Sequence, residues 1–417
     1  MPLNGLFGLL ALFGAPLFVI IAASALWGFY QQEVPLSVLS IEIYSIAETP
    51  ILLAIPLFTF AGYVLSESKA PARLVRFTQA VFGWMPGGLA IVSLAACAFF
   101  TAFTGASGVT IIALGAILYP ALAQAGYEER FNLGLVTSAG SLGLLFAPSL
   151  PIILYGVVAK VPIDTLFVAG AAPGLLMLIL LGGWSIWRNR GTRTTLSEFS
   201  WSEVWAASKD AALEMPLPIV VLGGIYGGIL AVSEAAAVTA LYVFVIEVLV
   251  RREIAWRDLP RIVRESMVLV GGILIILGVS FASTNYMIDA GVPEKLFELT
   301  ESRVSSQLTF LFALFVFLLI LGAILDIFSA IVLVVPLILP LAANYGVHPV
   351  HLGIVFLATM QLGYLTPPVG LNLFIASYRF RQPIMTVYAA TLPFLLILLV
   401  SVLIITFWPA LSLFLID

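Results

Sequence analysis

SAGSLGLLFAPSLPIILYG, residues 138–156, is apolar enough to sit in a membrane, yet Pro148 and Pro151 forbid one straight helix through it. Proline deletes an i→i−4 hydrogen bond and clashes with the preceding turn, which leaves upstream carbonyls free. At membrane depth such carbonyls survive only inside protein or beside a cavity. A second stretch, MQLGYLTPPVGLNLFIAS at 360–377, repeats the design with Pro367 and Pro368. Ser or Thr stands beside the prolines of each break, and Asn372 lies just beyond the second. Free carbonyls suit a hard cation such as Na⁺, and the half-helix N-termini that follow attract anionic groups. One proline kink says little; two at equivalent places say more.

Composition makes the surroundings of these breaks lipid. Of 417 residues, 62% are hydrophobic and 10% are charged, with a mean hydropathy of +1.14. A soluble domain carries about 25% charged residues, so a water-facing surface cannot be built from this inventory. Backbone in lipid must satisfy itself, which leaves helices or closed barrels. The apolar runs are long and do not alternate, so helices are expected. The net charge of −4 comes without a basic stripe and offers nothing to nucleic acid. Cys97 is the only cysteine, which excludes an intrachain disulfide, a cysteine zinc site and c-type haem; it reads as a small buried hydrophobe. The N-terminus lacks a basic region, the first Lys or Arg being Lys69, and reads as a retained first helix.

Single membrane segments are expected at 3–27, 51–66, 131–160, 165–187, 213–230, 234–250, 267–286, 350–378 and 386–413. Two longer regions, 88–125 and 306–343, are interrupted by TGASG (104–108) and LDIFSA (325–330), and weakly amphipathic stretches at 70–83 and 293–303 lead into them. If each long region returns to its own side, 15 of the 18 Lys and Arg fall on one side, and only Lys160, Lys295 and Arg303 on the other. The positive-inside rule then predicts a cytoplasmic N-terminus and an external C-terminus. At an offset of 220 residues Pro120, Pro148 and Pro173 fall on Pro340, Pro368 and Pro393, and Gly126 and Gly143 on Gly346 and Gly363. Five single passes separate the two long regions, so the second copy is inverted, a plan common among secondary transporters. The expected organisation is a first repeat over 1–212 (hairpin 88–125, broken helix 131–160), a linking helix over 213–233 and a second repeat over 234–417 (hairpin 306–343, broken helix 350–378). The fold class is all-α and polytopic.

Both long regions read as re-entrant hairpins. Arms of about 16 residues reach some 24 Å, short of the ~30 Å hydrocarbon core, and the first tip carries no charge. The second tip, GAILDIFSAIV at 322–332, holds Asp326 in apolar surroundings. An intramembrane acid is expensive and points to function. Asp326 either ligates a cation or caps the second arm, and the two roles are compatible. Glu234 reads as a first-turn acid of a helix, GGIYGG (223–228) as a close-packing motif, and His348 and His351 as interfacial residues. No Walker motif, HExxH or nucleophile elbow is present, so neither ATP nor a catalytic set enters the reading.

LLAIPLFTFAGYVL (52–65), GSLGLLFAPSLPIILYG (140–156), LFVAGAAPGLL (166–176), GGIYGGILAVSEAAAV (223–238) and HPVHLGIVFLATMQLGYLTPPVGLNLFIAS (348–377) together resemble the large, DctM-type membrane subunit of tripartite ATP-independent periplasmic (TRAP) transporters. The resemblance runs in order over nearly the whole chain. TGASG departs from the family's SGSS-like tip, and APS replaces its frequent PPS. The resemblance implies an elevator-type permease of the bacterial inner membrane that imports small organic anions, carboxylates or sialic-acid-like, on a Na⁺ gradient. It also implies a periplasmic substrate-binding protein and a small four-helix membrane subunit as partners, the latter a separate chain. Carried over residue by residue, one Na⁺ site would draw on Ser107, Gly108, Gly143 and Pro148 and another on Gly322, Asp326, Gly363 and Thr366. Substrate would meet Thr104, Gly105, Ser107, Ser149, Pro368, Gly370 and Asn372. A stand-alone divalent-anion symporter of the wider superfamily, an ion channel and a membrane enzyme are the competing readings.

Overall fold

A computed structural model describes residues 10, 13–85, 87–190, 199–301 and 304–416, and the described residues are helical with no strand among them. The start of the expected first segment, and Arg193 and Arg303 of the charge tally, lie outside the described residues. Helices α1 (Leu17–Gln31), α2 (Ser37–Ala47) and α3 (Ala54–Glu67) lead to amphipathic α4 (Ala70–Phe82). The first interrupted region is α5 (Gly88–Thr104), α6 (Ser107–Ala113) and α7 (Gly115–Gln124), and the first broken helix is α8 (Glu129–Ala139), a 3₁₀ turn at Leu142–Leu145 and α9 (Leu150–Ala159). After α10 (Ile163–Asn189), helices α11 (Trp201–Asp210) and α12 (Pro216–Tyr226) join the halves. The second half runs α13 (Val232–Phe244, extended by a π turn to Val250), α14 (Leu259–Asp289), α15 (Val292–Glu301), α16 (Gln307–Gly322), α17 (Ile327–Asn344), α18 (Pro349–Gly363), α19 (Leu371–Phe380), α20 (Ile384–Phe407) and α21 (Ala410–Leu413).

Among the described residues, six helices are long and apolar enough to cross a membrane, spanning Pro50–Glu67, Ile163–Asn189, Val232–Val250, Leu259–Asp289, Ile327–Asn344 and Ile384–Phe407. The bent pairs α6–α7 (49°) and α8–α9 (41°) raise the number to eight if each counts as one span. The remaining expected segments hold shorter apolar helices, α1, α12 and α18 among them.

Sequence and structure differ most before residue 51. A helix fills Ser37–Ala47, where no element was expected. The stretch SVLSIEIYSIA carries Glu42 and several serines, so no long apolar run marks it. Its partner supplies the missing signal: Asn285 Nδ2 donates to Glu42 Oε1 at 2.7 Å, and Gly278 leaves room for Ile43 and Ile46. Farther along the same pair, Arg261 reaches Glu67 at 2.6 Å. Thus α2, the 3₁₀ turn at Pro50–Leu53 and α3 run as one antiparallel track along α14, with α1 packed beside it through Gly28 and the Tyr286 ring. α3 also packs on α13.

A buried ionic knot fastens α4 to this frame. The Arg73 guanidinium meets Glu214 at 2.6 Å, Glu247 at 3.2 Å and Glu253, and Arg251 also reaches Glu214 at 3.2 Å. The other body is built from α5, α8, α10, α16, α18 and α20 with the bent segments between them. Cys97 lies 1% exposed in its core, as a small hydrophobe should.

Several local readings can now be placed. Glu234 accepts the Ala231 N–H at 2.8 Å, as a first-turn acid does. Within GGIYGG, nothing among the described residues lies within 4 Å of a Cβ built on Gly223 or Gly228, Gly224 packs against Leu230 of the following turn, and Gly228 (φ +65°) takes the left-handed turn after α12. His348 caps α18 by accepting the Val350 N–H at 3.2 Å. His351 is buried rather than interfacial, held 3.3 Å from both Ser412 Oγ and the Thr406 carbonyl.

Candidate functional site

The two halves place their breaks and tips against one another crosswise. The first part of each broken helix packs on its own hairpin's first arm, α18 on α16 and the Leu142–Leu145 turn on α5. The second part reaches across, α9 to α17 and α19 to α6. The Ala147–Pro148 and Pro367–Pro368 peptide bonds, 220 residues apart, are both cis.

At the first tip α5 stops at Gly105, whose φ of +63° turns the chain before α6 begins at Ser107. A Cβ on Gly105 would lie 2.5 Å from the Leu150 side chain, so the tip rests on the first turn of α9. Ser107 Oγ donates to Asn372 Oδ1 at 2.7 Å, and Asn372 Nδ2 donates to the Thr137 carbonyl at 3.4 Å. Asn372 is fully buried and ties three elements together: the tip, the end of α8 and the start of α19. Beneath it Thr101 Oγ1 donates to the Gly140 carbonyl at 2.8 Å and lies 2.7 Å from Thr110 Oγ1. Thr104 Oγ1 makes only long contacts of 3.5 Å, to the Ala106 carbonyl and Thr110. Gly143 lies directly on α5, a Cβ there being 2.2 Å from the Ala98 carbonyl. Pro148 and Ser149 are buried, and the Ser149 hydroxyl, at the N-cap of α9, has no hydrogen-bond partner among the described residues.

At the second tip the glycines themselves touch. A Cβ on Gly363 would lie 2.5 Å from Gly322 Cα, and the Gly370 N–H donates to the Ala323 carbonyl at 3.2 Å. The Ile327 N–H donates to the Tyr364 hydroxyl at 2.9 Å, and the Asn372 N–H to the Tyr364 carbonyl at 3.2 Å, which links this tip to the first. Asp326 is the N-cap of α17: Oδ1 accepts the N–H groups of Phe328 and Ser329 at 3.0 Å each, and Oδ2 accepts the Ser329 hydroxyl. Of the two roles read for Asp326, capping is the one this geometry displays. Thr366 Oγ1 donates to the Leu362 carbonyl at 3.1 Å. Pro367, Pro368 and Val369 are exposed, whereas Pro148 and Ser149, the counterparts of the last two in the first break, are buried.

The residues expected at the sites fall around the two tips and breaks. Gly322, Gly363 and Asp326 share one corner, whereas Gly108 faces Ile375 of α19 rather than the first break. Ser107 and Asn372, which lie in different halves and were both named for the substrate set, are directly bonded. Thr101, Thr110 and Tyr364 were not singled out; hydroxyls within a turn of a tip, or within a break, in an otherwise apolar run were the available signal. Every polar atom named around the two tips is an oxygen or an amide nitrogen, and among the described residues no cluster of His, Cys, Asp or Glu could hold a metal by itself. Carbonyls, hydroxyls and one carboxylate are what a weakly bound hard cation accepts, not what zinc or copper selects.

Comparison with known proteins bears on the whole chain. Residues 4–411 match the family described as tripartite ATP-independent periplasmic transporter, DctM component. The C4-dicarboxylate TRAP transporter large permease protein DctM of Rhodobacter capsulatus is 32% identical over 98% of this chain and 97% of its own. The ectoine/5-hydroxyectoine TRAP transporter large permease protein UehC of Ruegeria pomeroyi is 33% identical, over 88% of this chain and 86% of its own. The isethionate TRAP transporter permease protein DctMQ of Oleidesulfovibrio alaskensis is 33% identical over 99% of this chain and 66% of its own. In fold, the chain resembles the Alcanivorax borkumensis YdaH transporter, with a TM-score of 0.62 at 14% identity over 90% of this chain and 88% of that one. Match, length and architecture agree, and this chain belongs to the DctM component family of TRAP transporters, as a large permease.

Proposed function

We propose that this permease imports a small organic anion, coupled to Na⁺, across a bacterial inner membrane. The observation that carries the reading is the crosswise contact of two tips and two breaks, with Ser107 bonded to Asn372 and Gly322 against Gly363. On this reading the halves are inverted repeats over 1–212 and 234–417 joined by 213–233, and 88–125 and 306–343 are re-entrant hairpins. Na⁺ takes one position among Ser107, Gly108, Gly143 and Pro148, and another among Gly322, Asp326, Gly363 and Thr366. The substrate's anionic group lies toward Thr104, Gly105, Ser107, Ser149, Pro368, Gly370 and Asn372, where the unpartnered Ser149 hydroxyl and the first turn of α9 offer hydrogen-bond donors.

The body holding these groups moves as a unit against the frame of α1–α3 and α13–α14, in the manner of an elevator. A small four-helix membrane subunit and a periplasmic binding protein complete the system, with the N-terminus cytoplasmic and the C-terminus periplasmic. Relatives named for C4-dicarboxylates, ectoine and isethionate support a small substrate bearing a carboxylate or sulfonate. The test is uptake by the reconstituted permease across a panel of such acids, with and without Na⁺ and with and without the cognate binding protein. Uptake that needs both supports the reading. Uptake indifferent to the binding protein would favour a stand-alone symporter, and conductance without substrate would favour a channel.

A further inference from the structure

An open cavity flanks the first tip. It measures about 990 Å³ and separates the second arm of the first hairpin from the frame. Val109, Ile112 and Ala116 line one wall, starting one residue beyond Gly108, and the first turns of α14 line the other. Its lining therefore runs from Val109, two residues beyond Ser107, to the end of the frame where Glu67 and Arg261 meet.

Its charges are unevenly satisfied. Arg261 is held by both lining carboxylates, Glu67 at 2.6 Å and Glu265 at 3.2 Å. That leaves Arg264 on the frame and Arg379 on α19 with no carboxylate partner among the described residues, both exposed on the cavity. Arg379 spends only its Nε–H, on the Ile112 carbonyl at 3.1 Å, which orients the side chain and leaves the terminal N–H groups of its fork free. Two unpaired guanidiniums on opposite walls of the cleft make its potential positive. They suit carboxylate or sulfonate groups, two oxygens of which Arg can hold in forked geometry.

We propose that Arg264 and Arg379 form an anion-holding vestibule, a second site separate from the tips, which takes the carboxylate or sulfonate as it passes between the Ser107–Asn372 region and water. One arginine stands on the frame and the other on the body that carries the tips, so an anion there bridges the two. The proposal deepens the transport reading and rests on it, but its principal readout needs no transport.

Ala116 is exposed on the cavity wall, and the native Cys97 is buried. Ala116→Cys in the full chain, solubilised in detergent, is labelled with a sulfonate-bearing and with a trimethylammonium-bearing methanethiosulfonate. The anionic reagent is expected to react faster relative to the cationic one than it does with a free thiol. Arg264→Gln and Arg379→Gln should each lower that ratio about two- to fivefold, the size Coulomb's law gives for unit charges about 8 Å apart in water with and without salt screening. Millimolar succinate should slow labelling, neutral succinamide should not, and the double variant should lose the protection. An unchanged ratio in both variants overturns the vestibule, as does equal protection by succinate and succinamide. A normal ratio with protection but no Na⁺-driven uptake would instead fault the transport reading and leave the site standing.

Discussion

Replacing either of two facing glycines by alanine tests the backbone approach between the second tip and its broken helix, and the two replacements should differ. A Cβ on Gly363 would lie 2.5 Å from both Cα and the carbonyl carbon of Gly322 and 2.9 Å from its oxygen. Carbon atoms rest about 3.5–4.0 Å apart, so the strands of backbone must part by about 1 Å, and no side chain can rotate away to spare them. That displacement would break the Gly370 N–H to Ala323 carbonyl bond, now 3.2 Å long. A Cβ on Gly322 meets its nearest atoms, Gly363 Cα and the Met360 backbone, at 3.2–3.3 Å, which a shift of a few tenths of an ångström relieves. Overpacking costs about 1–3 kcal/mol, and alanine regains roughly 0.5–1 kcal/mol over glycine within a helix. Gly363→Ala should therefore cost about 1–2 kcal/mol net, while Gly322→Ala should be near neutral. Melting in detergent, followed by size-exclusion fluorescence, should show a fall of several degrees for Gly363→Ala, since 1 kcal/mol is worth about 2–4 °C in a domain of 150–250 residues. Equal melting temperatures, or a larger loss for Gly322→Ala, would refute the assigned contact.

Asn372→Ala leaves the buried Ser107 hydroxyl without its acceptor, at a cost of about 1–3 kcal/mol. The Ser107→Ala/Asn372→Ala double variant should cost clearly less than the sum of the singles, and additivity would mean the two do not interact. Asp326→Asn keeps an N-cap while Asp326→Ala loses about 1 kcal/mol of capping, so stability should separate the two. If Asp326 also binds Na⁺, both variants should shift the Na⁺ titration of uptake, and an unchanged titration in Asp326→Asn would leave Asp326 a cap only. Arg73→Met strips three carboxylates of their shared cation and should cost about 3–5 kcal/mol, read as lost thermal stability; a loss under 1 kcal/mol would discount the knot. Burial works against ionising Glu253, yet the Lys69 N–H and the Arg73 guanidinium outweigh it and hold its carboxyl below the ordinary 4.5. The stability it lends is present above that value and fades as pH falls through its lower folded value, so Glu253→Gln should flatten the acid limb of a melting-temperature profile below about pH 4.5.

Most of the helical order was legible because proline, glycine and charge punctuate an otherwise apolar chain. Pro50, Pro162, Pro349 and Pro383 stand at helix starts, and Gly105, Gly126 and Gly346 take left-handed turns between helices. The α2 helix was not legible because its fit depends on α14: Glu42 is tolerable where Asn285 meets it, and no local pattern reports that. The fate of GGIYGG was hidden for the same reason, since small-residue spacing permits close packing without providing a partner. At the site, residue types could be read but not their pairing. The offset of 220 suggests that each hairpin works with its own broken helix, whereas Ser107 bonds to Asn372, 265 positions away. Crosswise contact is a property of how two halves dock, and one sequence carries no direct signal for it.

The distribution of charge separates two mechanical roles. Around the tips the contacts are neutral hydrogen bonds with a single local acid, Asp326, satisfied within its own helix turn. The buried ion pairs gather instead where α4, which leads into the first hairpin, meets the turns around α11–α14. Neutral, internally satisfied contacts cost little to carry through a low-dielectric layer, whereas a multi-ion knot is costly to expose to lipid and costly to break. If the body with the tips moves as proposed, the joint at Arg73 is the part that must stay still, and the bending must fall between α4 and α5. That section contains Gly83 and Gly87, with Gly87 at φ +74°. Locking it should stop transport without loosening the knot. Gly87→Ala, strained by its positive φ and 3.1 Å from Ile186 Cα, should therefore reduce uptake more than Arg73→Lys does; the opposite order would place the hinge elsewhere.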